Sequence, residues 1–450
     1  MESMNFTEGK ILKPLMKFAV PVLAALLLQS LYGAVDLLVV GQFSNPANVS
    51  AVATGSQIIQ TLTFVITDIA VGMTVFLGQL IGEGKRDGAG KVIGAGIALF
   101  ILIGIVVTVI MEFTTDGITR IMHAPKEAFA QTSAYIRICS GGTIFIIAYN
   151  VLGSIFRGIG NSKVPLITVL IAAIFNIFGD LLFVAVFHMG AAGAAYATVI
   201  SQALSVMLSF KIIRKTGLPF HFGTADIRFD RGLIGKILSI GIPVAVQDLL
   251  VSISFLIIMG IVNAIGVVAS AGVGVAEKLC AFVMLVPSSF MQSMSAFVAQ
   301  NYGAGKPKRA LQALRTGIAV SFGCGLVLGW LSFFHGSLLS SIFTNNADVI
   351  AASADYLKAY AIDCLFTAFL FCFNGFYNGI QRTKFIMFQG IIGAFCVRVP
   401  VSYMMSLQKP VSLFRIGLAT PCSTLLQIIL CFIYLAYLRK KHVFDGEDAG

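Results

Sequence analysis

Three aspartates, Asp36, Asp68 and Asp180, stand inside long apolar runs of this sequence. Amide and hydroxyl side chains accompany them at helical spacing. Gln29 comes seven residues before Asp36, Asn176 four before Asp180, and Thr198 four before Gln202, so the members of each pair share a helix face. An ionisable group in hydrocarbon is costly and persists only with a partner or a task. Two carboxylates in low dielectric resist being charged together, which suits such a pair to take up a proton. With amide, hydroxyl and backbone oxygens added, the same groups form a set of hard ligands for sodium. The sequence leaves proton and sodium both open.

The elements that must position these groups follow from composition. Apolar residues make up 57% of the 450, charged residues only 11%, and the mean hydropathy is +0.91. Such a chain cannot present a water-compatible surface, whereas a bilayer asks for stretches of about 20 apolar residues. Twelve fit, near 14–40, 51–77, 92–112, 133–156, 164–187, 193–213, 237–262, 270–297, 316–337, 354–378, 385–407 and 414–438. Helices are the spanning element, because the runs are too long for barrel strands and do not alternate. The expectation is an all-α polytopic membrane protein of 12 transmembrane helices.

The chain also repeats itself. Gln79-x-x-Gly82-x-Gly84-Lys85 returns as Gln300-x-x-Gly303-x-Gly305-Lys306, a shift of about 221 that also carries Tyr135 onto Tyr356, Gly158 onto Gly379 and Lys163 onto Lys384. Six helices return a chain to its starting side, so the second copy inserts as the first did. The expectation is two six-helix lobes related by a parallel pseudo-twofold axis along the membrane normal. The lobes are 1–215 and 237–450, joined by a cytoplasmic linker at 216–236. With both termini cytoplasmic, about 23 of the 31 Lys and Arg fall on the cytoplasmic side, so the net charge of +11 is mostly topology. Spread over short segments, these charges do not make a nucleic-acid surface. The three carboxylates are not repeated: the register sets Ile257, Ser289 and Val401 against them. The duplicated scaffold therefore does not by itself require them.

Several stretches resemble the multidrug and toxic compound extrusion family over almost the whole chain. They are Val35-Asp36 before Val39-Val40-Gly41, the Gly72 to Gly84 stretch, and Phe156-Arg157-Gly158-x-Gly160-x-x-Lys163 in the first lobe, with Val275-Ala276-Glu277-Lys278 and Ile416 to Pro421 in the second. The resemblance implies a first-lobe cluster: a proline-bent first helix at Pro21, with Gln29 and Asp36 on it, Asn150 on the fourth span, Asn176 and Asp180 on the fifth, Thr198 on the sixth, and Tyr135 as a further match. Some members carry essential carboxylates in the second lobe, where this chain has Val251 and Thr367, with Asp248 and Asp363 within about a turn of them.

Ion coupling is thus assigned to Asp36, Asp180, Asn176 and Thr198, which together could hold Na+, and the substrate cavity to Gln29, Asn150, Tyr135 and Asp68. The implied activity is H+- or Na+-coupled antiport, exporting organic, cationic drugs by alternating access from the cell membrane. A monomer without a cofactor is expected. Enzyme chemistry has no footing: the Gly-x-Gly-Lys loops lack the spacing and the Ser or Thr of a phosphate-binding loop, and the five histidines lie in or near loops. The eight cysteines, set singly in apolar spans, read as small buried residues. A lipid-linked precursor flippase is the alternative, but it would gather several basic residues for a pyrophosphate, and the deep candidates are Lys278 and Arg398. The roles of Asp68, Asp248, Glu277, Asp363 and Arg398 stay open.

Overall fold

The computed structural model describes residues 4–445 and is all-helical, with no strand among the described residues. The first half runs α1 (Leu12–Phe43), α2 (Pro46–Gly82), α3 (Arg86–Ile121), α4 (Phe129–Gly141), α5 (Thr143–Ile159), α6 (Lys163–Asp180), a π-helical turn (Leu181–Val186) and α7 (Gly190–Thr216). The second runs α8 (Arg231–Asn263), α9 (Val267–Val283), α10 (Leu285–Gly303), α11 (Pro307–Phe334), α12 (Gly336–Ser341) and α13 (Ala347–Gly379). It ends with α14 (Thr383–Ile391), a second π-helical turn (Ile392–Arg398), α15 (Val399–Ser406), α16 (Leu413–Gly417) and α17 (Ala419–Lys440). Among the described residues, eleven helices or continuous helix runs are long and apolar enough to cross a membrane, and 12 if α4 and α5 count as one bent span. The helices run beyond the spans read from hydropathy, α2 for example covering Pro46–Gly82 where the apolar run is 51–77.

One span differs from the expectation. The segment near 133–156 is two helices bent by 55°. The break falls at Gly141–Gly142, and Gly142 packs directly on the Val199 side chain of α7, where a Cβ could not fit. The close approach lies at the bend, and a hydropathy window passes over both.

The repeated motif has a backbone explanation. Gly84 and Gly305 sit at φ +73° and +69°, each ending a span in the left-handed region that glycine enters at no steric cost. Each turn closes in the same way, with Lys85 N–H donating to Leu80 O and Lys306 N–H to Asn301 O.

Two compact units emerge. One holds Val20–Ile242; the other holds Asn5–Ala19 together with the chain from Pro243 onward. The division is displaced from the boundaries expected at 215 and 237. α1 and α8, the helices carrying Pro21 and Pro243, each change unit beside that proline. Backbone contact holds the start of α8 in the first unit: Gly72 lies on Ile237 O and Gly241 on Ile69 O, and Lys236 Nζ is 4.3 Å from the Phe76 ring centroid. In the second unit Phe6 packs between Phe18 and Phe297, and its carbonyl accepts from Asn301 Nδ2 (3.1 Å) and Arg309 Nε (3.0 Å).

Gly72→Val should therefore lower stability by about 1–3 kcal/mol, since overpacking here displaces backbone. Gly117→Ala, where nothing lies within 4 Å of an added Cβ, should be near neutral. Thermal unfolding in detergent compares them, and equal midpoints would refute the packing argument.

Candidate functional site

Small residues bring the first-lobe oxygens together. Gly179 lets α6 approach α7 until a Cβ on it would sit 2.9 Å from Ala197 Cβ, and Gly193 admits the Phe183 backbone of the π-helical turn. This crossing sets Asn176 and Asp180 against Thr198. Gly55 on α2 makes room for the Tyr135 ring, which a Cβ would meet at 2.5 Å. Around them Val39, Val40, Ala51, Val52, Ile136 and Ala194 form a buried apolar shell.

Within this shell Thr198 is a relay. Its hydroxyl accepts from Asn176 Nδ2 (3.4 Å) and donates to Asp36 Oδ2 (3.3 Å). Asp36 and Asp180 lie close enough for their side chains to interact. Asp36 is 5% exposed and Asp180 fully buried, so neither carboxylate is hydrated by bulk water. Four buried oxygens of the cluster have no partner: Asp36 Oδ1, Asn176 Oδ1 and both carboxylate oxygens of Asp180. Orphaned buried acceptors are costly and call for a proton or a cation. A sodium ion takes oxygen ligands of this kind, so the donor set fits one. No group of three or more His, Cys, Asp or Glu among the described residues is arranged to hold a metal ion. Acceptor oxygens without imidazole or thiolate suit a hard monovalent cation or a proton.

The remaining sequence candidates are placed less centrally. Tyr135 is buried beside both carboxylates and pairs with Cys139. Gln29 donates to Tyr149 Oη (3.0 Å) and does not hydrogen-bond either aspartate. Asn150 donates to Ile146 O (2.8 Å), and its Oδ1 lies 3.2 Å from the Thr67 hydroxyl on α2. The expected convergence of six residues is thus a core of four, with Gln29 and Asn150 engaged elsewhere. Asp68 is half-buried on α2, next to Thr67. α1 continues as one helix through Pro21.

Tyr32 and Tyr149 were not singled out from the sequence. Tyr32 lies near Asp36, Tyr149 and Gln202, and so links the Gln29 pair to the carboxylates. The signal was present: Tyr32 follows Gln29 by three residues and precedes Asp36 by four, on the face they share. Tyrosine in an apolar run carries no charge to mark it, so it passes as packing.

A family model, MatE, matches residues 21–182 and again 243–404, an offset of 222. "Probable multidrug resistance protein YpnP" of Bacillus subtilis (strain 168) is 26% identical over 445 residues, covering 98% of each chain. "Multidrug export protein MepA" of a Staphylococcus saprophyticus strain is 23% identical, over 89% of this chain and 88% of that protein. Among solved structures, an "outward-facing conformation of a multidrug resistance MATE family transporter of the MOP superfamily" superposes with a TM-score of 0.92. It is 19% identical, over 98% of this chain and 99% of that one.

Thr198→Val removes the relay and strands both neighbours. It should cost about 1–3 kcal/mol, the penalty of orphaned buried polar groups. Tyr149→Phe breaks only the bond to Gln29 and should cost about 1 kcal/mol. A Thr198→Val loss no larger than that of Tyr149→Phe, measured by thermal unfolding, would show that the relay is not structurally coupled.

Proposed function

The chain belongs to the multidrug and toxic compound extrusion (MATE) family of membrane transporters, and on that premise we propose that it exports organic, cationic drugs by ion-coupled antiport. The relatives named for multidrug resistance and export support drugs as the cargo over the flippase alternative. The single observation that carries ion coupling is the buried Asp36–Asp180 pair, three of whose oxygens are unpartnered, with a fourth unpartnered oxygen on Asn176.

Coupling follows from charge. An empty site holds two carboxylates in low dielectric, and a proton or sodium ion neutralises one of them. The bound and unbound states differ by a full buried charge, a large lever on how α1, α6 and α7 pack. Ion binding rebends α1 near Pro21, changes the cavity surface and releases substrate outside. Proton and sodium compete, since both satisfy the same oxygens, so lowering pH weakens apparent sodium affinity. Returning one cation down a 100 mV potential supplies about 2.3 kcal/mol, enough for a roughly fiftyfold outward gradient of a neutral substrate. A cationic substrate requires more than one returning charge or an ion gradient as well.

The protein works as a monomer in the cell membrane, with both termini cytoplasmic and the two lobes in parallel orientation. The charge bias of the loops supports this topology.

Asp36→Asn and Asp180→Asn should each abolish coupled efflux while the protein still inserts. Proteoliposomes under separately imposed proton, sodium and voltage gradients make the measurement, and a normal substrate gradient in either variant would sink the first-lobe mechanism. Single cysteines introduced at Lys85 and Lys306 should be labelled only from the cytoplasm. External labelling of one of them would overturn the parallel repeat.

A further inference from the structure

The second lobe contains a buried polar cluster that the proposed ion coupling does not use. Arg398 is 5% exposed, donates from Nη1 to Ser254 Oγ (3.1 Å) and lies over the Phe255 ring at 4.5 Å. Its Nε has no partner, and Glu277 Oε1, Asp363 Oδ1, Tyr356 Oη and Thr420 Oγ1 are also buried without one. These groups belong together: Tyr356 lies near Glu277, Arg398 and Asp363, and Asp363 near Arg398 and Thr424.

The register shows what this cluster is. At the offset of 222 between the two family matches, Asn176 falls on Arg398, Thr198 on Thr420, Asp180 on Ser402 and Gly55 on Glu277. Tyr135 falls on Tyr356 one residue out of step. The surrounding shells match as well, Ala51 with Val273, Ala191 with Leu413 and Ala194 with Ile416. Each site also adjoins a π-helical turn in the fifth span of its lobe, which starts after Asp180 in one and ends on Arg398 in the other. The Arg398 cluster therefore occupies the place of the first-lobe site.

Its charges are arranged differently. The first site has two carboxylates and no fixed cation, a formal charge of two negatives until an ion arrives. The second has two carboxylates, Glu277 and Asp363, and the guanidinium of Arg398, which stays charged under all ordinary conditions. Its formal charge equals that of the first site with one cation bound. A guanidinium in hydrocarbon is expensive unless anionic groups lie near it; Asp363 is one such group, and Glu277 belongs to the same cluster through Tyr356.

We propose that Arg398 is a tethered cation, permanently filling the second-lobe counterpart of the ion site, so that only the first lobe exchanges a free ion. The proposal rests on the first-lobe ion site put forward above. Arg398 here is a positioning residue: it holds the second lobe in the charge state that the first lobe reaches only when loaded.

Removing the tether should open a cation site where none was available. The test uses full-length protein in detergent, with Asp36→Asn and Asp180→Asn silencing the first lobe. In that background, sodium or millimolar guanidinium chloride should leave the unfolding temperature where choline chloride leaves it. Adding Arg398→Ala should create a saturable rise with guanidinium, which refills the vacated space, and Arg398→Lys should not. Should Arg398→Ala not give folded protein, Arg398→Gln with sodium as probe takes its place under the same reading. Absence of cation-dependent stabilisation once Arg398 is replaced overturns the proposal, as does such stabilisation with Arg398 intact. A wild-type protein indifferent to protons and sodium would instead overturn the first-lobe reading, and the Arg398→Ala comparison would still report on the second lobe.

Discussion

A charge in a membrane interior has neither water nor counter-ions to call on, and every polar feature of this chain answers to that constraint. In the first lobe the answer is shared: Asp36 leans on Thr198, Thr198 on Asn176, and Asp180 is left with both oxygens unpaid for. In the second the balance is internal, with Arg398 near Asp363 and Tyr356, and Glu277 near the same tyrosine. The same scaffold thus carries one site that must find its cation outside and one that carries its own.

Close helix approach makes these sites possible. Lipid offers no hydrophobic drive for helices to associate, so packing falls to small residues that let a neighbouring helix approach closely. Gly179 against Ala197, Gly55 under Tyr135 and Gly142 on Val199 do this in the first lobe. Gly393 against Gln427 and Gly417 against Tyr356 do it in the second. A polar group brought into contact across such a crossing is fixed in place by backbone geometry, and its own hydrogen bonds then add specificity.

Much of this was legible in the amino-acid order. The spans were, because about 20 apolar residues in a row admit one interpretation in a bilayer, and so were the family and the all-helical fold. The Asp36, Asn176, Asp180 and Thr198 grouping was anticipated because polar residues in apolar runs are conspicuous. Gln29 and Asn150 were conspicuous for the same reason, yet each bonds a different partner, since helix spacing tells which face a residue is on and not what that face meets. The break at Gly141–Gly142 and the π-helical turns escaped because each lies inside a span that hydropathy reads as continuous. Arg398 was visible as a deep charge, but its burial against Ser254 and Phe255 needed three dimensions to matter.

The division of α1 and α8 between the units bears on how the chain is made. Phe6 reaches its place through Asn301, a sequence separation of 295 residues. At about 5–20 residues per second of synthesis, the first residues wait roughly fifteen seconds to a minute for the helices that receive them. During that interval Asn5–Ala19 lacks its permanent neighbours, although the rest of α1 has already emerged. The first lobe is likewise unfinished until Arg231–Ile242 follows. Cutting the chain between its repeats would give two fragments, each carrying a piece of the other, and assembly would have to be reciprocal.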